Sequence, residues 1–236
     1  MSTTTARVDL VKPGLFGSVA AADSRRGEFD IGNEIILSHG IPVDFVFIGD
    51  SITHMWDVYA YFGRSGQFVV NRGIGGDISE HVSKRFAADV VQLKPKHVVI
   101  KIGINNFWAL DGWTAADRRQ PKDIIPGVVK DITAMVKEAN ANQITPIVCS
   151  ILPTNIPASA GDVVRNEAVR ATNAQLAEMA KREGAIYVDY HSHMTTEDGS
   201  RLRAELADDG LHPHVLGYDI MADVLRTELN KHGITL

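Results

Sequence analysis

Cysteine is almost absent. The 236 residues hold one, Cys149, so no intrachain disulfide can form and a disulfide-stapled secreted scaffold is excluded. Long apolar runs are missing too. None approaches the roughly 18 residues of a membrane span. The opening stretch MSTTTARVDLVKPGLFG lacks the continuous apolar core of a secretory signal. No Asn-x-Ser/Thr glycosylation acceptor occurs. These absences together lead to the expectation of a cytoplasmic protein with no membrane span. Basic charge is not concentrated either: 24 Lys and Arg stand against 29 Asp and Glu, a net charge of −5, so nucleic acid is not an expected partner. No Pro/Gly/Ser linker and no repeat divides the chain. The reading is one domain, with 1–39 as an N-terminal extension and helix packed on a domain at 40–236.

What is present is ordinary globular material, 44% apolar and 22% charged. A chain this long can bury about 70–75% of its unfolded surface without disulfide or metal. Short apolar runs rich in β-formers predict buried strands at 44–50, 67–71, 97–103 and 144–152, with a weaker one at 185–190. Between them, apolar residues recur at helical spacing over 78–92, 122–141, 163–183 and 216–232, and a first helix is expected near 28–39. Strand and helix alternate about five times. That pattern predicts a parallel sheet covered on both faces by right-handed crossovers. In such sheets sites form at the carboxyl ends of strands, so the residues after each strand matter most.

After the first strand stands Gly49-Asp50-Ser51-Ile52-Thr53. A serine at a strand-to-helix turn exposes its hydroxyl beside a helix start, where partial positive charge favours an anion. Asp50 and Ser51 are also ordinary N-cap residues. The G-x-S-x-G elbow is not satisfied, because Thr53 stands at the second glycine position. After the second strand comes Gly73-Ile74-Gly75-Gly76-Asp77, which matches neither dinucleotide nor phosphate-loop spacing. It can still turn backbone N–H groups toward a ligand. After the third strand come Asn105 and Asn106, as turn formers or as amide donors to developing negative charge. Phe107 and Trp108 follow, able to wall a pocket or to cover the core. Near the C-terminus, Asp209 and His212 are three apart, a spacing that lets a carboxylate meet an imidazole. His191-x-His193 and His212-x-His214 are weighed as nitrogen ligands, but no H-E-x-x-H occurs and no metal is expected. Cys149, inside the fourth strand, reads as a small core residue.

Taken in order, GDSIT at 49–53, GIGGD at 73–77, GINN at 103–106 and DGLHP at 209–213 resemble the SGNH (GDSL-type) hydrolase family over roughly residues 40–232. The GIGGD and G-x-N-N variants look most like the branch of platelet-activating-factor acetylhydrolase catalytic subunits and bacterial acetylesterases. Asn106 replaces the aspartate of the commoner G-x-N-D form and spares Asn105. The resemblance implies a flavodoxin-like three-layer α/β/α sandwich with five parallel strands. It implies Ser51 as nucleophile, His212 as general base and acid, and Asp209 as the group orienting His212. It implies an oxyanion hole of the Ser51 and Gly76 backbone N–H groups and the Asn105 amide, with Gly75 as the alternative glycine. Gly75, Asn106, Trp56, Phe107 and Trp108 are the expected substrate contacts, while Asp50 ties down the turn.

The implied activity is a serine esterase for short-chain, above all acetyl, carboxylic esters, carbohydrate esters among them, with a small-molecule ester as partner and no cofactor. Rival readings are a lysophospholipase or thioesterase, a non-catalytic binding module on the same fold, and a flavodoxin-like redox or signalling protein. A homo-oligomer built through the N-terminal segment is an arrangement the sequence allows.

Overall fold

The computed structural model describes residues 8–17, 20–112, 116–156, 159 and 161–236. Its centre is a parallel sheet of β1 (Phe45–Gly49), β2 (Val69–Gly73), β3 (His97–Lys101), β4 (Thr145–Cys149) and β5 (Ile186–Val188), in the order β2-β1-β3-β4-β5. All five residues of β1 are buried, which explains why its sequence is an unbroken apolar run rather than an alternation.

The chain steps outward from β1 to β2, then back across to β3, β4 and β5. Right-handed crossovers therefore send the helices between β2 and β5 to one face: α4 (Ser79–Asp89), α5 (Pro121–Ala141) and α6 (Asp162–Glu183). The N-terminal α1 (Ala21–Ser38) packs beside α4. The β1-to-β2 crossover runs in the opposite direction and carries two short helices, α2 (Ser51–Met55) and α3 (Val58–Phe62), to the other face. There α7 (Tyr190–Met194) and the C-terminal α8 (Val215–Lys231) join them. This is the expected three-layer α/β/α sandwich with five parallel strands.

β3, β4 and β5 end two or three residues earlier than expected, and two other boundaries differ for identifiable reasons. α1 begins at Ala21 rather than near residue 28, and its buried face carries two polar residues, Arg26 and Asn33. Arg26 pairs with Asp30 and Asp89, and Asn33 donates to Ala88 O at 3.0 Å. β2 lies two residues later than the apolar run at 67–71, since Arg72 and Gly73 continue the ladder opposite Ile48 and Gly49. Gly73 is required there: a Cβ on it would lie 2.1 Å from His54 N, so only glycine lets β2 pass this close to α2. One residue expected on the packing stripe of α8, Leu216, is 54% exposed.

Candidate active site

β1 ends at Gly49, and Asp50 caps α2 by accepting the Ile52 N–H at 3.0 Å. Ser51 is thereby the first residue of α2, half-buried at the carboxyl edge of the sheet. Asp50 is fully buried, with Lys101 Nζ 3.6 Å from its Oδ1, so it anchors the turn from below. Burial lowers the Lys101 ammonium below its ordinary value, with Asp50 acting in the other direction. Tyr218 of α8 holds the far end of the turn, donating to Ile52 O at 2.8 Å.

The Asp209–His212 turn comes from the opposite end of the chain. Asp209 Oδ1 accepts the backbone N–H groups of Leu211 at 2.9 Å and His212 at 2.7 Å, and Asp209 Oδ2 lies 2.6 Å from His212 Nδ1. Gly210 has φ +73, and a Cβ there would fall 1.8 Å from Asn155 O. The Gly210 carbonyl accepts from Asn155 N–H at 2.8 Å, so the loop after β4 braces the turn. His212 Nε2 reaches Ser51 Oγ at 2.9 Å. Burial pushes the Asp209 carboxyl up. Its bonds from the His212 N–H, the imidazole and the Leu211 N–H outweigh that and hold it below its ordinary value. An ionised Asp209 requires the proton on Nδ1, which leaves Nε2 free to accept from the serine hydroxyl. The three side chains form a relay that can carry a proton off Ser51.

Candidate donors follow two more strand ends. Asn105 opens the 3-10 turn Ile104–Leu110 after β3. Its Oδ1 accepts from Trp108 Nε1 at 3.0 Å, and its Nδ2 donates to Asp77 O at 2.9 Å. One amide hydrogen remains for a ligand. In the glycine turn, Gly76 has φ +79, and neither its N–H nor that of Ser51 has an acceptor among the described residues. Gly75 runs alongside Ser51, since a Cβ on it would lie 3.8 Å from Ser51 Cβ, but its N–H is committed to His54 Nδ1 at 3.3 Å. Gly76 is therefore the better fit to the expected donor, and Gly75 the lining residue.

Two expected substrate contacts need correction. Trp56 is 3% exposed, stacked on Tyr218 with ring centroids 5.4 Å apart. Phe107 is completely buried in the core. Neither can touch a ligand. Asn106 fastens the start of α4, its Oδ1 accepting the Ser79 N–H at 3.1 Å and its Nδ2 donating to Ser79 Oγ at 3.0 Å, and it is half-buried beside Asn105 in a shared cleft. Trp108 is half-buried under the Arg165 guanidinium at 4.2 Å and lines a cavity of about 620 Å³, so it alone of the three aromatics is accessible. A second groove, of about 530 Å³, starts at His212 and Asp209 and runs over Met55, Tyr61, Val215 and Asp57.

His54 was not singled out from sequence. It stands one turn after Ser51 on α2, a spacing that places both on one helix face. Burial, then the neighbouring Arg25, keep its imidazole below the ordinary value, while Glu28 acts the other way; the neutral ring accepts from Gly75. The remaining histidines do other work. His214 caps α8, its Nδ1 accepting from Leu216 N–H, and His191 is buried with its backbone N–H on Ser150 Oγ at 2.8 Å. Among the described residues no three His, Cys, Asp or Glu side chains gather as a metal site, and no helix is long and apolar enough to cross a membrane.

Comparison with known proteins agrees with this architecture. The profile of the GDSL-like lipase/acylhydrolase family matches residues 47–220. An acetylxylan esterase of Geobacillus stearothermophilus is 25% identical over 173 residues, covering 72% of this chain and 75% of that protein. The solved structure of a GDSL-like lipase from Bacteroides thetaiotaomicron is 27% identical with a TM-score of 0.74, covering 90% of this chain and 99% of its own. A catalytic mutant of Axe2, an acetylxylan esterase from Geobacillus stearothermophilus, shares the fold, with a TM-score of 0.64 at 20% identity over 80% of this chain and 95% of its own.

Proposed function

The chain belongs to the GDSL-like lipase/acylhydrolase family and is a carboxylic ester hydrolase, and from that premise we propose that it removes short acyl groups, acetyl above all, from small esters through an acyl-serine intermediate. The observation that carries the proposal is the relay from Ser51 Oγ to His212 Nε2 at 2.9 Å and from His212 Nδ1 to Asp209 Oδ2 at 2.6 Å.

Ser51 Oγ attacks the ester carbonyl as its proton passes to His212 Nε2. The carbonyl π pair moves onto oxygen, and that oxyanion is met by the Ser51 N–H, the Gly76 N–H and the free hydrogen of Asn105 Nδ2. The C–O bond to the alcohol then breaks, and the departing oxygen takes the proton from Nε2. Water enters, gives a proton to Nε2 and attacks the acyl carbon. Ser51 leaves with the proton returned, and the acid is released. Asp209 stabilises the imidazolium in both halves.

The proton donor fixes where the alcohol lies. It must depart beside His212, hence into the groove over Met55, Tyr61 and Val215. That groove is lined by apolar surface and by Asp57 and Asp208, and among the described residues no Lys or Arg lines it. Such a surface suits a neutral alcohol, a sugar hydroxyl included. It disfavours the phosphate-bearing alcohol or thiol of a lysophospholipase or acyl-CoA thioesterase. Likeness to an acetylxylan esterase supports acetylated carbohydrate as the substrate class.

The test is covalent. A p-nitrophenyl phosphonate is expected to add one phosphonyl group, found on the peptide bearing Ser51, and Ser51→Ala is expected to abolish both labelling and turnover. Across p-nitrophenyl esters, acetate is expected to be hydrolysed fastest. A rate climbing steadily to long chains would overturn the acetyl preference. Unchanged turnover in Ser51→Ala would overturn the mechanism.

A further inference from the structure

Arg85 lies within α4 and its side chain is fully buried. A buried guanidinium is costly unless its N–H groups are matched. Here they are matched by the segments that carry the site. Nη2 donates to Gly49 O at 3.0 Å, two residues before Ser51. Nη1 donates to Arg72 O at 2.9 Å, at the entrance to the glycine turn, and to Asp89 Oδ2 at 2.8 Å. Nε donates to Asp77 Oδ2 at 2.8 Å, at the exit of the turn. The Asp77 carbonyl in turn accepts from Asn105 Nδ2. One planar fork thus joins the nucleophile strand, both ends of the glycine turn and, through Asp77, the Asn105 amide. A lysine could not make this set of bonds, because its ammonium is a single point on a flexible stem.

We infer that Arg85 is a positioning residue that sets the separation between Ser51 and its oxyanion donors. It touches no substrate and acts through the Asp77–Asn105 arm and the Gly49 carbonyl. Oxyanion donors work only when held within about 0.5 Å of their productive place, so loosening the fork costs turnover rather than binding. The inference rests on the acyl-serine reading above.

A double-mutant cycle of Arg85→Lys and Asn105→Ala, measured on p-nitrophenyl acetate, tests it. Arg85→Lys is expected to lower kcat by about 10- to 100-fold with KM within about threefold. Asn105→Ala is expected to cost roughly 10²–10³ in kcat. In the Asn105→Ala background the Arg85→Lys loss should shrink to about threefold, because the arm it positions is gone. The drop in melting temperature caused by Arg85→Lys should be the same in both backgrounds. Losses in kcat that simply multiply, or a folded Arg85→Lys with wild-type kcat, would overturn the inference. Should Arg85→Lys fail to fold, Asp77→Asn weakens the Nε arm, keeps the Asp77 carbonyl and enters the same cycle with the same outcomes. Ser51→Ala separates the two proposals: if it stays active the mechanism fails, and if it is dead while the losses multiply only the role of Arg85 fails.

Discussion

The indole N–H of Trp108 is bonded to Asn105 Oδ1 at 3.0 Å, and this bond decides which way round the Asn105 amide sits. With Oδ1 occupied and one hydrogen on Asp77 O, the amide cannot flip without losing two bonds. Trp108→Phe keeps a ring beneath Arg165 but removes the donor. It is expected to lower kcat by about five- to tenfold, the worth of one hydrogen bond near 1 kcal/mol, with KM little changed. Steady-state kinetics on an acetate ester check this; an unchanged kcat would mean the amide is held by Asp77 alone.

The pH response follows from Asp209. Its carboxyl is held below the ordinary value, so it stays ionised from about pH 5 upward. A depressed carboxyl stabilises the fold above its unfolded pKa of about 3.9, and that contribution fades only as pH falls through the lower folded value. Loss of rate on mild acidification therefore does not come from neutralising Asp209, and turnover requires Nε2 of His212 free to receive the serine proton. We expect kcat/KM to rise with pH to a plateau, and enzyme held near pH 5 to regain its full rate at neutral pH. A permanent loss would show that unfolding governs the acid side.

Cys149 gives a chemical test of the core. Burial pushes its thiol up to about 12, with Tyr190 and Lys101 acting weakly in the other direction. Thiolate is the reactive form, so an aromatic disulfide reagent should find no thiol in the native protein and one after denaturation in guanidinium. Ester hydrolysis should be indifferent to iodoacetamide. Rapid native labelling would place Cys149 nearer solvent than β4 allows.

Charge at the groove is open to a substrate test. Between two acetate esters of similar size, the one with a carboxylate on its alcohol should have the lower kcat/KM. Asp57→Asn with Asp208→Asn should narrow that gap by about three- to tenfold at low salt, as expected for two solvent-screened charge pairs worth about 1 kcal/mol together. Added salt should narrow it too. A gap that ignores both changes would move the alcohol to another part of the site.

Gly73→Ala probes the close pass between β2 and α2. The added methyl would sit 2.1 Å from His54 N, against backbone that cannot rotate away. Overpacking of this kind costs about 1–3 kcal/mol or more, so thermal unfolding should shift down by several degrees at least, and kcat should fall as the Ser51 turn is displaced. A variant as stable and active as the parent would show that the two segments can separate freely.

The sheet was legible in the sequence because a strand buried on both faces must be apolar throughout, as FVFIG is. The site was legible as types and order: Ser51, Asn105, Asp209 and His212 each follow a strand or close a turn. Direction was not legible. Trp56 and Phe107 stand next to site residues in sequence, yet the local turns aim them into the core. The start of α1 was hidden because Arg26 occupies its buried face, and periodicity counts only apolar residues. Arg85 left no trace because two of its partners are main-chain carbonyls, 13 and 36 positions earlier, which no side-chain pattern announces.

The family profile starts at residue 47, but α1 does not stand apart from the chemistry. Ile74 of the glycine turn is 2% exposed because Ala22 and Phe29 cover it, and Ala21 Cβ is 3.5 Å from where a Cβ on Gly76 would point. A minimal enzyme trimmed to the matched span would therefore strip the backing from Gly76, the proposed oxyanion donor, while keeping Ser51, Asn105, Asp209 and His212. The smallest unit worth transplanting or redesigning has to include that helix.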